Sequence, residues 1–274
     1  MQVRNILVTG GTDGMGKATA NQLAVMGTRL LLVGRNRAKG EAAVSEIINN
    51  SGNKAITFLQ ADLSLVREMQ RIKGHVRQIF DRLDGLVHGA GGMFPLRRTL
   101  TDEGLELVFA LLYLSRHVLT NELHDLLSAA IAPQVVSIAG GGGCMTPDFE
   151  NLKGEKSYSI FGAIMRAGTL NDLLTLEQIA RYPDVAFYNY GPGLVRTAAL
   201  TRGNPLINIF FNTIGRPFTR TAEKAANDIV ALLTGKYLSG FYGPSLKQNK
   251  ASVAEGDASR LWSSSEQLVD NLSI

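Results

Sequence analysis

Short β-branched or leucine-rich runs alternate with longer helical patterns from residue 3 to about residue 190, and this rhythm constrains the chain more than any other feature. Strands separated by helix-length stretches cannot close as hairpins. They form βαβ units on a parallel sheet. The predicted strands are Val3 to Thr9, Leu30 to Val33, Ala55 to Leu59, Gly85 to His88, Gln134 to Ile138 and Val185 to Tyr190, with a seventh at Gly240 to Tyr242. Helices are predicted near residues 15 to 26, 37 to 50, 64 to 80, 101 to 130, 164 to 181 and 221 to 233. No internal repeat, low-complexity tract or linker interrupts them, so one domain over 1–274 is expected. An apolar segment near 200–220 is either a lid over a pocket at the carboxyl ends of the strands or an ordinary core or dimer helix. A docked helix is expected around Leu261 and Trp262.

After the first strand comes Thr9-Gly10-Gly11-Thr12-Asp13-Gly14-Met15-Gly16, and a helical pattern opens at Met15. A dinucleotide phosphate needs a turn tight enough for positive φ, a backbone bare enough to approach, and a helix N-terminus whose free N–H groups meet the charge. Gly10, Gly14 and Gly16 supply these between a strand and a helix. The fold class expected is therefore α/β: a Rossmann-type doubly wound parallel sheet of about seven strands with helices on both faces. The second strand runs into Arg35-Asn36, where an acidic residue would hold the ribose of NAD. A basic residue suits a 2′-phosphate, so NADP(H) is favoured over NAD(H); a solvated arginine at a strand end is the alternative.

Composition excludes other classes. The 29 glycines among 274 residues have no three-residue period, only 8 prolines occur, and 45% of residues are hydrophobic, which removes collagen and disorder. One cysteine, Cys144, and four scattered histidines give no disulfide and no metal cage. A cytoplasmic, reducing location is expected, with no transmembrane segment. The net charge of +4 is spread along the chain, so nucleic acid is not an expected partner.

The ordered motifs Thr9-Gly-x-x-x-Gly-x-Gly16, Asp62-Leu63, Ala90-Gly91 and Pro192-Gly193 resemble the short-chain dehydrogenase/reductase family. Asp148-Phe149-Glu150-Asn151-Leu152, Ser239-Gly240-x-Tyr242 and Leu261-Trp262 are similar to its retinol-dehydrogenase-like branch. The resemblance implies a cofactor site of Thr9, Gly10, Gly14, Met15, Gly16, Arg35, Asn36, Asp62, Leu63, Ala90, Gly91, Pro192, Gly193 and Thr197. Asp62 would meet the adenine edge and Leu63 its ring; Ala90 and Gly91 would line the ribose, and Pro192 and Thr197 the nicotinamide. Asp62 also reads as a helix cap and Pro192-Gly193 as a turn. Asp13 departs from the basic residue common in NADP-dependent relatives.

The family's chemistry is hydride transfer with a Tyr as general acid/base, a Lys that lowers its pKa, a Ser that orients the substrate oxygen and an Asn that relays protons. Aligning Tyr158-Ser159 onward without a gap puts Ile164 at the Tyr position and Gly168 at the Lys position. Gly140 takes the Ser position and Leu112 the Asn position. None of these side chains exchanges a proton. Tyr158, Arg166 and Tyr113 are the candidate substitutes, since an arginine beside a tyrosine stabilises a phenolate. Arg116, one helical turn beyond Leu112, can also face the site. The expected function is binding of NADP(H) and action on a hydrophobic small molecule by non-tetrad chemistry, such as isomerisation, cyclisation or atypical oxidoreduction. The alternatives are a noncatalytic nucleotide-sensing or partner-binding pseudoenzyme, and an ordinary NADP-dependent ketone or alcohol oxidoreductase. A homodimer or tetramer is implied, because relatives associate through helices matching 101–130 and 164–181.

Overall fold

Six strands follow the predicted rhythm: β1 (Asn5–Thr9), β2 (Arg29–Gly34), β3 (Ile56–Gln60), β4 (Gly85–His88), β5 (Gln134–Ile138) and β6 (Ala186–Tyr190). The computed structural model describes residues 3–139, 147–196, 219–251, 253 and 256–272. Two short strands, β7 (Val195–Arg196) and β8 (Arg220–Thr221), pair with each other, and β9 (Gly240–Tyr242) and β10 (Gln248–Asn249) close the main sheet. Its order is β10-β9-β6-β5-β4-β1-β2-β3, parallel throughout except for β10. The sheet thus has eight strands where about seven were expected. The extra one is a two-residue antiparallel edge, too short to leave a pattern.

Side chains alternate across the sheet and fill two cores. Leu7, Leu31, Leu86, Val135 and Phe187 enter one; Ile6, Val8, Leu30, Leu32, Val87 and Val136 enter the other. Helices α1 (Gly14–Val25), α2 (Arg37–Ser51) and α6 (Ala222–Thr234) contribute to the second core. Helices α3 (Val66–Ile79), α4 (107–128), α5 (Ile160–Arg181) and α7 (Gly256–Leu272) contribute to the first.

Helix α4 starts at 107, six residues later than predicted. Glu106 ends the preceding turn and caps the helix, its two carboxylate oxygens accepting from Val108 N at 3.0 Å and Phe109 N at 2.8 Å. Apolar Leu105, Val108 and Phe109 imitate helical spacing on both sides of that boundary. Within α4, Ala110–Leu114 is a π turn. Helix α5 starts four residues earlier than predicted, because the Ser159 hydroxyl caps it by accepting from Gly162 N at 3.0 Å.

The expected C-terminal helix is α7, and it lies across α4 and α5. Trp262 is 2% exposed and meets the His117 ring edge-on at 4.6 Å, while the Ser265 hydroxyl bonds that of Tyr113 at 2.7 Å. The Ser259 hydroxyl donates to Glu177 on α5 at 2.9 Å. The helices expected to mediate self-association therefore carry the chain's own last helix on this face. The segment 197–218, which contains most of the expected lid, lies outside the described residues.

Candidate functional site

Strand β1 is flanked by β2 and β4, so the chain leaves the sheet in opposite directions at its carboxyl end, opening a crevice there. The Thr9 hydroxyl donates to Val87 O at 3.1 Å and accepts from Gly89 N at 3.1 Å and Ala90 N at 3.3 Å, fixing the ends of β1 and β4 together. Gly10 has φ +66°, and a Cβ there would sit 2.4 Å from Gly89 O. Gly14 has φ +50° as it opens α1, and a Cβ on Gly16 would lie 2.3 Å from Gly10 O. Backbone thus approaches backbone on both sides of the turn, with the N-terminus of α1 facing the crevice. Met15 lies partly buried against the second core.

Asp13 is the N-cap of α1, with one carboxylate oxygen accepting from Gly14 N at 2.7 Å. The other is ion-paired with Lys39 at 2.5 Å. Lys39 was not anticipated. The signal for it was Asp13 itself, a carboxylate at an anion-binding helix end that calls for a countercharge.

Toward the far end of the crevice, the Arg35 side chain is 77% exposed, with Nη1 4.0 Å from Asp62 Oδ2. Arg35 and Asp62 border an open groove of about 880 Å³ along β3 that also includes Phe58 and Arg71. Asn36 caps α2, accepting from Lys39 N at 2.9 Å, so that oxygen is already engaged. Asp62 Oδ1 accepts from both the backbone and the hydroxyl of Ser64, at 3.0 and 2.7 Å, a local turn rather than the expected cap, since α3 starts at Val66 and its Val66 and Arg67 N–H groups donate to Glu103. Leu63 is 4% exposed in the first core, leaving its backbone rather than its side chain to face a ring. Pro192 is buried and Gly193 has φ +72° as the chain leaves β6. Thr197, Gly140 and Cys144 lie outside the described residues.

In the middle of the crevice, Leu112 sits in the π turn of α4 and Leu112 Cδ2 reaches within 3.5 Å of where a Gly91 Cβ would be. Its carbonyl accepts from Asn171 Nδ2 of α5 at 2.8 Å. Ile164 is 43% exposed, Phe161 is 73% exposed, and Gly168 follows Ile164 by one turn on the same side of α5. Positions 112, 164 and 168, where the resemblance places three of the four tetrad residues, thus carry no polar side chain.

Tyr158 and Arg166 do come together, bordering a cavity of about 370 Å³ with Asn151, Gly162 and Thr169. Gly162, Arg166 and Thr169 follow a spacing of four and three, which puts them on the side of α5 opposite Ile164 and Gly168. Burial raises the Tyr158 pKa, and the hydrogen-bonded carboxylate of Glu106 raises it further, against the opposing pull of Arg166. The expected phenolate is therefore disfavoured. Tyr113 is fully buried in the first core, its hydroxyl bonded to Ser265 and its pKa raised by burial. Its hydroxyl is already engaged within the core. His88 is 2% exposed, bonds the Thr120 hydroxyl at 3.0 Å, and is pushed down to about 3 by burial and then by Arg116.

Among the described residues there is no group of histidine, cysteine or acidic side chains able to hold a metal ion, and no helix long and apolar enough to cross a membrane. The sequence pattern of the family described as short chain dehydrogenase matches residues 4–151. A candidate daunorubicin C-13 ketoreductase of Streptomyces sp. (strain C5) is 31% identical, over 97% of this chain and 92% of its own. Retinol dehydrogenase 14 of Mus musculus is 27% identical over 98% and 86%. Among solved structures, an alcohol dehydrogenase of the archaeon Thermococcus sibiricus, complexed with 5-hydroxy-NADP, superposes with a TM-score of 0.69 at 17% identity, over 91% of this chain and 100% of its own.

Proposed function

Since the chain belongs to the short-chain dehydrogenase/reductase family, we propose that it binds NADP(H) and acts on a hydrophobic small molecule without the family's proton-transferring tetrad. The observation that carries this reading is a pair of opposites: a dinucleotide turn with no room for a Cβ at Gly10 or Gly16, and apolar Leu112 reaching toward Gly91 of the same crevice, with apolar, exposed Ile164 on the neighbouring helix α5. Turn and helix end fit a dinucleotide. Gly10, Gly14 and Gly16 would admit the pyrophosphate to the N-terminus of α1, Ala90 and Gly91 would border the ribose, and Arg35 with Lys39 would face a 2′-phosphate. When bound, NADPH supplies a hydride. The Thermococcus enzyme's 5-hydroxy-NADP accords with this cofactor class.

Leu112, Ile164 and Phe161 would exclude water and hold an apolar body against the crevice. With no hydroxyl or amine at 112, 164 and 168, proton exchange falls to the substrate itself or to solvent, and this favours isomerisation, cyclisation or an atypical oxidoreduction. The same three positions favour a second reading, a noncatalytic protein that holds the nucleotide and is stabilised by it.

Fluorescence and thermal-shift titration with NADPH and NADH, followed by NADPH absorbance against a panel of aldehydes, ketones and alcohols, tests both. Binding of NADPH with little or no carbonyl reduction is expected. Rapid oxidation of NADPH by simple ketones would overturn the loss of tetrad chemistry, and absence of NADPH binding would overturn the whole reading.

A further inference from the structure

Arg116 of α4 is 3% exposed. Nη2 of its guanidinium donates to Ile138 O, at the end of β5, at 2.7 Å. Nη1 is buried with no partner. Burial alone moves its pKa, down to about 10, with no carboxylate to offset it, so it stays a cation at neutral pH. Arg116 in turn helps to keep His88 uncharged.

The position of this cation matters. Ile138 Cδ1 comes within 3.4 Å of where a Gly89 Cβ would be, and Leu112, one turn before Arg116, reaches toward Gly91. The guanidinium therefore lies at the carboxyl ends of β4 and β5, under the floor of the crevice. A buried cation without a counterion weakens a fold, and replacement by an apolar side chain is often neutral or stabilising. An anion arriving from outside the chain would offset that cost. One cation with one free nitrogen matches a monoanion, not a phosphate dianion.

We propose that Arg116 is the anion-binding residue of the crevice and that it takes the carboxylate of an apolar carboxylic acid, whose body lies against Leu112 and Ile164. The inference rests on the crevice being the ligand site of the proposed function.

Decanoate and decanol are the probes, titrated by thermal shift and calorimetry into the whole chain and into R116M, each with and without NADPH. The wild-type chain is expected to bind decanoate at least ~10-fold more tightly than decanol, the scale of a buried charge-assisted hydrogen bond. R116M is expected to lose that preference while melting no lower than the wild type without ligand. Equal binding of the two probes by the wild type, an intact preference in R116M, or an R116M chain that fails to fold would each overturn the proposal. An Arg116-dependent preference without NADPH binding overturns the proposed function and leaves this inference standing; NADPH binding without the preference does the reverse.

Discussion

Alanine at Gly16 places a methyl group 2.3 Å from Gly10 O and 2.8 Å from Gly10 C. Both are backbone atoms of the turn, so no side chain can rotate away, and relief to van der Waals contact needs a shift of about 1 Å. Overpacking of this kind costs roughly 1–3 kcal/mol. Gly→Ala inside a helix returns about 1 kcal/mol of propensity, leaving a net loss of roughly 0–2 kcal/mol. Gly74 in α3 is the control: it is exposed, with nothing within 4 Å of an added Cβ, so alanine there should stabilise by about 1 kcal/mol. The two variants should differ by roughly 1–3 kcal/mol, or a few degrees in Tm for a chain of this size. G16A should also bind NADPH at least ~10-fold more weakly, because the displaced backbone loses charge-assisted hydrogen bonds to phosphate. Urea denaturation and NADPH fluorescence titration measure both quantities. A G16A chain as stable as G74A, or one that binds NADPH as the wild type does, refutes the reasoning from steric closure.

Four further outcomes are expected. Arg35→Asp should weaken NADPH more than NADH in direct titration, and equal losses would remove Arg35 from the 2′-phosphate. Asp228→Ala should cost about 2–4 kcal/mol in urea denaturation, because Asp228 Oδ2 accepts from the Tyr190 hydroxyl at 2.7 Å, Arg220 Nη1 at 2.7 Å and Ser245 N at 2.9 Å; a loss under about 0.5 kcal/mol would show that this network does not brace β6. His88 and His117 are pushed down to about 3 and about 4, chiefly by burial, so below pH 6.5 the unfolded chain binds protons that the folded chain refuses. Stability should therefore fall as pH falls from about 6.5 toward 4, by up to ~1.4 kcal/mol per pH unit for each histidine, and H88Q with H117Q should flatten that slope in denaturation series at pH 7 and 5. With α7 across α4 and α5, any self-association should leave that face buried within the chain, and a dimer in light scattering that substitutions at the α7-covered positions dissociate without lowering stability would contradict this.

The parallel strands were legible to within one or two residues because β1, β2, β4, β5 and β6 are largely buried on both faces and read as apolar runs bounded by turns, while the edge strand β3 shows itself by its β-branched and aromatic residues. The two-residue strands β7, β8 and β10 carry no periodicity. The glycine turn was legible because positive φ and close backbone approach leave glycine as the only fitting residue, and Gly10 and Gly16 meet that requirement in space. The site's electrostatics were not legible. Lys39 reaches Asp13 across 26 residues, and only the packing of α2 against α1 brings them together. Tyr158 and Arg166 border one cavity, yet the phase of α5 turns Arg166 away from Ile164. Tyr113 and Ser265 meet across 152 residues, a contact that no local pattern encodes.

The π turn at Ala110–Leu114 acts as a phase shifter in α4. A π turn holds one residue more than the regular helix needs, so everything after it is rotated by about 100° relative to an uninterrupted α-helix. Leu112 faces Gly91 from inside the turn, while Arg116 faces Ile138 from beyond it. One helix thereby serves two azimuths. Deleting a single residue between 110 and 114 would remove the surplus residue and its winding together, so regular geometry would return with Ser115–Ser128 at nearly the same azimuth and the guanidinium still at β5. What would act as a rotation is regularising the turn at full length, because the surplus residue would then carry everything after it around the axis.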